Sequence, residues 1–239
     1  KNQYDDIEIV AGSRIDCPGL HGGVVLDIEQ TQNSIVRAIE EVEEQSGEEV
    51  REVHVAIRGK HIGGDNHSGG LTVSRTDKEI TEEDVHAVIE NAKQIQLSAD
   101  REIIHVINQD YIIDRQEGVT NPIGMEGGHL SANVYVVTAQ STHLNNIYKS
   151  ISKVGFELKE VFLGVFAAGE VTVTSGEKEL GVLLIDIGGD TVELAVYHKG
   201  SVRYTHELEI GSDHITRDLA QVLRASATVA KQIKEEYGI

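Results

Sequence analysis

Two rhythms of apolar and polar residues take turns along the chain. The first is a period of two or an unbroken apolar run, which predicts β-strands. It appears in "EVHVAI" (52–57), "EIIHVI" (102–107), "ANVYVVTA" (132–139), a segment near 157–163, "GVLLIDIGG" (181–189), and the segments 192–197 and 202–209. "IEIVAG" (7–12) and "GGVVLDI" (22–28) read as two further short strands around a Cys17-Pro18-Gly19 turn. The second rhythm steps by three and four, which predicts helices. In "NSIVRAIEEVEEQSG" Asn33 is placed to cap, Ile35, Ile39 and Val42 form the stripe, and Gly47 stops it. A second helix starts at Thr81, where Asp84 completes a capping box, and carries Val85, Val88, Ile89, Ala92 and Ile95 on one face. A third, over 141–155, aligns Leu144, Ile147, Ile151 and Val154; helices near 165–174, 213–224 and 227–237 follow. The glycine-rich "GKHIGGDNHSGG" (59–70) reads as a loop.

Helices alternating with strands predict an α/β fold with mixed sheets. Residues 53–139 form a strand–helix–strand–strand unit, expected to be an inserted subdomain that folds on its own. With prolines only at Pro18 and Pro122, long unstructured linkers are not expected.

Composition narrows the function classes. The 239 residues carry a formal net charge of −19, which speaks against a general nucleic-acid or anionic-membrane surface. The lone Cys17 excludes an intramolecular disulfide and suits a reducing compartment. No apolar run reaches the roughly 18–20 residues that span a bilayer, and the opening residues lack a secretory signal pattern. A cytoplasmic protein is the expectation.

The stretch with most chemical interest is "LLIDIGGDTVELAV" (183–196). An apolar strand ends in Asp186, and Gly188-Gly189-Asp190-Thr191 follow before a second strand begins. Two readings stand side by side. Gly188 and Gly189 can expose backbone N–H groups as an anion nest, with Thr191 adding a hydroxyl and Asp186 holding a hydrated Mg²⁺. Equally, the turn can be a plain hairpin. Asp190 counts against phosphate, since like charges repel. Elsewhere, His61 and His67 flank Asp65 without the regular spacing of a metal site. His54, His105 and His206 lie in strands as ordinary side chains, and Cys17 has no local base to activate it. The acidic run "IEEVEEQSGEE" (39–49) is a solvated helix face. No carboxylate base is apparent for an enzyme reading, so no catalytic residue is assigned.

Several blocks together resemble the FtsA family of bacterial cell-division proteins, in the actin/Hsp70/sugar-kinase superfamily. They are "GLHGGVVLDIEQT" (19–31), "EITEEDVHAVIENA" (79–92), "NPIGMEGGHLSANVYVVTA" (121–139), "EKELGVLLIDIGGDTVELAVYHKG" (177–200) and "IGSDHITRDLAQVL" (210–223). The resemblance implies an actin-like (ribonuclease H-like) fold of mixed sheets with an inserted α+β subdomain of the FtsA-specific type. Residues 1–52 would begin the first lobe and 53–139 would be the insertion. Residues 140–176 would return to the first lobe and make the interdomain connection, and 177–239 would start the second lobe with its second phosphate loop. It also implies a scaffold that forms filaments, binds ATP with Mg²⁺, and ties the FtsZ ring and later division proteins to the inner face of the membrane through a C-terminal helix. Asp186, Gly188, Gly189 and Thr191 would grip ATP phosphates, with Asp186 acting on Mg²⁺ through water, and Lys234 would remain from an E-x-x-K pattern whose other position here is Lys231. The chain departs from that pattern at Asp190, at Val192-Glu193, and in "FLGVFAAGE" (162–170), which lacks the usual Glu-Pro. On this resemblance the chain is an internal portion without the first phosphate hairpin, the adenosine-binding half or the membrane helix. Such a portion is expected to bind Mg-ATP weakly or not at all. An ATP-dependent enzyme or a pilus-assembly ATPase of the same superfamily is the alternative.

Overall fold

The computed structural model describes residues 8–238. A minimal hairpin, β1 (Leu20–His21) and β2 (Val24–Val25), turns at Gly22 and Gly23, both at positive φ of 54° and 77°. Helix α1 (Ile28–Ser46) follows, then β3 (Glu52–Ile57) and β4 (Ile62–Thr72). Helix α2 (Glu82–Ala92) leads into a long meander: β5 (Arg101–Ile113), β6 (Gln116–Val119) and β7 (His129–Gln140). Then come α3 (Ser141–Ser152), β8 (Glu157–Leu163), α4 (Gly164–Thr172) and α5 (Ser175–Leu180). The chain closes with β9 (Val182–Ile187), β10 (Val192–His198), β11 (Ser201–Leu208), α6 (Ser212–Leu223) and α7 (Ala227–Tyr237).

Strand β3 runs parallel to β8. Between them the chain makes the antiparallel sheet β4-β7-β5-β6, and β9, β10 and β11 form an antiparallel meander. Parallel and antiparallel pairings therefore coexist, as the helix–strand alternation predicts. One face of the four-stranded sheet packs on α2 through Val88, Leu130, Ala132, Val134 and Val136, all almost fully buried. Its other face joins the central core, where Ile62, Tyr135, Val137 and Ala139 meet Ile57, Leu144, Leu163, Ala195 and Val202. Burying one such side chain is worth about 1.5–3 kcal/mol, so this shared core is what sets the sheets against each other.

Several sequence expectations are corrected. Residue 7 of the expected strand 7–12 lies outside the described residues, and residues 8–12 form no strand. The strand expected over 22–28 shrinks to Val24–Val25, because α1 already starts at Ile28. Its cap is Asp27, whose carboxylate accepts the Gln30 N–H at 3.0 Å, and not Asn33, which lies inside the helix. The glycine-rich segment is no loop: residues 62–72 form an eleven-residue strand paired with β7 along its whole length. Helix α4 ends at Thr172, and Thr174 then starts the separate α5 with its own capping box to Glu177.

Candidate functional site

The β9–β10 turn brings Gly188, Gly189, Asp190 and Thr191 to one tip of the three-stranded sheet. The Gly188 N–H donates to the Thr191 carbonyl at 2.9 Å, closing the hairpin. Among the described residues the amides of Gly189, Asp190 and Thr191 donate to no protein acceptor, and Thr191 is itself buried. The loop carbonyls are spoken for: Gly188 and Gly189 accept from the Ser212 and Asp213 amides, each at 2.9 Å, which fastens the start of α6 under the turn. Glycine is required there by space, since a Cβ on Gly211 would lie 2.2 Å from the Gly189 carbonyl oxygen. Lys234 reaches from α7 to the Ser212 carbonyl at 3.0 Å, one residue removed from the loop.

Asp186, Glu193 and Glu207 face one another across β9, β10 and β11, at directly paired register positions. Glu193 is 1% exposed, and neither of its carboxylate oxygens has a hydrogen-bond partner among the described residues. Two carboxylates so placed cannot both be charged cheaply. Burial, aided by Glu193 and opposed by the Gly59 N–H, pushes the Glu207 carboxyl up to about 8. Burial raises Glu193 as well, against the pull of Arg58. Burial therefore favours the protonated form at both members of the pair.

The chain just after β3 answers this acidic row. Arg58 lies 3.5 Å from Glu193 and 3.8 Å from Asp186, the Gly59 N–H donates to Glu207 Oε2 at 2.8 Å, and Lys60 pairs with Glu209 at 2.8 Å. The β1–β2 hairpin adds a fourth tie, His21 Nδ1 to Asp190 Oδ2 at 2.9 Å. It packs so closely that a Cβ on Gly23 would stand 1.9 Å from the Arg58 carbonyl oxygen. A divalent ion at Asp186 finds little provision here. The guanidinium stands beside that carboxylate, and among the described residues no three His, Cys, Asp or Glu side chains group as metal ligands.

The structure thus gathers Asp186, Gly188, Gly189 and Thr191 at one tip and sets Lys234 just beneath it. Sequence reasoning missed Arg58, Gly59, His21 and Glu207. One signal was available: Glu193 and Glu207 occupy inward positions of alternating strands, and an acid in such a position needs a partner. Nothing local identified that partner, because Gly59 and Glu207 are 148 residues apart. His61 and His67 do not join the tip. His61 is buried against His143, with ring centroids 4.8 Å apart. Burial, His143 and Arg101 together lower it to about 4.

Comparison with known proteins follows the same division of the chain. A family model described as "SHS2 domain inserted in FTSA" matches residues 59–138, the span of β4, α2, β5, β6 and most of β7. One described as "Cell division protein FtsA" matches residues 183–239, which include the glycine turn. Among curated relatives, the cell division protein FtsA of Pseudomonas aeruginosa is 38% identical over 97% of this chain and 55% of its own length. That of Neisseria meningitidis is 37% identical over 98% of this chain and 56% of its own length. The chain spans about half the length of the curated relatives it matches. A solved "PilM-PilN type IV pilus biogenesis complex" superposes with a TM-score of 0.64 over 95% of this chain and 62% of that one. At 15% identity it shares the fold alone.

Proposed function

The chain belongs to the FtsA family of cell-division proteins, with an actin-like fold, and on that premise we propose that it is part of a cytoskeletal scaffold of bacterial division. The observation that carries the reading is the joint match: the insertion described for FtsA, over 59–138, and the FtsA match over 183–239, which holds the glycine turn, lie on one chain. The scaffold would form filaments and link the FtsZ ring to the inner face of the membrane and to later division proteins. Among the described residues no helix is long and apolar enough to cross a membrane. The turn at 188–191 would take the phosphates of ATP on its backbone amides, and Thr191 would add its hydroxyl. Lys234 would steady α6 beneath the turn, through Ser212. Nucleotide would act by ordering the two lobes for filament assembly.

A fluorescent fusion of the gene product that carries this chain tests the proposal in dividing cells. Fluorescence should collect as a ring at the division site, together with FtsZ. Evenly dispersed fluorescence in cells whose FtsZ rings are intact would reject it.

A further inference from the structure

We propose that Arg58 is the resident cation of the glycine turn, standing where the fold family implies a hydrated divalent ion, so that a phosphate held at 188–191 is neutralised by its guanidinium without metal. The identity of the anion rests on the phosphate reading above; the place of the cation does not.

The arrangement is built from both sides. From the sheet, Asp186 and Glu193 present carboxylates at neighbouring register positions, and Glu193 is 1% exposed with both oxygens lacking a hydrogen-bond partner among the described residues. When such a carboxylate ionises, it needs a counter-charge within reach. From the end of β3, Arg58 Nη2 supplies it at 3.5 Å from Glu193 and 3.8 Å from Asp186. The guanidinium is also wedged between two backbones. A Cβ on Gly188 would lie 3.2 Å from Nη1, and one on Gly164, the first residue of α4, 3.6 Å from Nη2. Mg²⁺ keeps several waters and needs octahedral room around its carboxylate, and at Asp186 the guanidinium already stands beside that carboxylate. The planar fork of the guanidinium suits a phosphate oxygen pair. Arg58 remains 41% exposed at its side chain, so one edge of the fork is open to a ligand on the turn.

The test uses the intact chain and Mn²⁺, read from the electron paramagnetic resonance signal of the free ion, with no nucleotide present. The wild type should leave that signal unchanged up to millimolar metal. Arg58→Ser should gain a saturable site, with affinity raised about tenfold or more, and the added Asp186→Asn change should remove it. Arg58→Lys, which keeps the charge, should gain none. Saturable Mn²⁺ binding by the wild type that Asp186→Asn abolishes overturns the proposal, and this arm does not depend on any Arg58 variant folding. Absence of a gain in an Arg58→Ser protein with wild-type circular dichroism overturns it too. Pyrophosphate, titrated calorimetrically into the wild type in EDTA, should bind. Binding only after Mg²⁺ is restored overturns the proposal. No binding under either condition rejects the phosphate reading and leaves the Mn²⁺ result to decide the cation.

Discussion

Asp190 shows how a residue's meaning changes with its neighbours. Beside a phosphate it is an unfavourable charge, yet here its carboxylate is turned toward His21, 2.9 Å away. Glu207 carries the sharper consequence. Its carboxyl titrates at about 8 in the fold against an ordinary 4.5, so the folded chain holds that proton more tightly than the unfolded one. The stabilisation is complete below pH 4.5 and is lost as the pH climbs through 8. His61 works in the opposite sense. Lowered to about 4 from 6.5, it contributes fully above pH 6.5 and fades as the pH falls toward 4. Of these two groups, only Glu207 acts above pH 6.5. Thermal melts between pH 6.5 and about 9 should therefore show a falling Tm, and Glu207→Gln should flatten the curve. At the alkaline end the variant should be more stable by something on the order of a few kcal/mol. A wild-type Tm that stays level over that range would contradict the raised Glu207 carboxyl. Residue identities at the turn were legible because strand, glycines and strand are contiguous; its counter-charges were not, because their contacts cross more than a hundred residues.

At the level of elements, β4 explains the largest misreading. Glycine density in "IGGDNHSGG" argues for a loop only while the strand's neighbours are unknown. In the fold, Tyr135 crosses Gly64 so tightly that a Cβ there would lie 2.2 Å from its hydroxyl. The backbone of α2 rests directly on Gly69, where a Cβ would meet the Ala92 nitrogen at 2.3 Å. Neither glycine needs an unusual φ; they are small so that a helix and a ring can touch the strand. Gly69→Ala should therefore destabilise the chain by roughly 1–3 kcal/mol in urea denaturation, because the obstructing atoms are backbone and cannot rotate away. Gly176→Ala, with nothing within 4 Å of the new methyl and a helical site in α5, serves as the contrast and should be neutral or slightly stabilising. Equal losses in both would contradict the packing account. Helix α2 was legible to the residue at its start, because Thr81 and Asp84 form a local capping box. Helix α1 was not: the apolar stripe begins only at Ile35, while Asp27 fixes the start about two turns earlier.

Over the whole molecule, the alternation of rhythms was enough to give the α/β class, since each element's period survives in its burial. How the sheets join was not in those periods. The four-stranded sheet keeps a core of its own against α2 and lends its other face to the central core. The join is polar as well as apolar. The Tyr135 hydroxyl accepts the Thr205 N–H at 2.7 Å and pairs with the Thr205 Oγ1 at 2.9 Å, all buried. Tyr135→Phe should leave those groups unsatisfied and cost about 1–3 kcal/mol. Amide exchange should quicken along β11, at Thr205 and Glu207, while α2 keeps its wild-type protection. Uniform quickening across the chain would mean that Tyr135 merely fills space.

Strand β11 holds the central strand of the insertion through Thr205 and, two residues on, holds the insertion's entry point through Glu207 and the Gly59 amide. Mechanically this makes β11 a tie rod. A pull applied to the insertion is carried along a hydrogen-bonded strand and across one register step to the neighbour of the glycine turn, without bending a helix. Load placed on the insertion thus arrives, two residues along β11, at the buried Glu193–Glu207 pair.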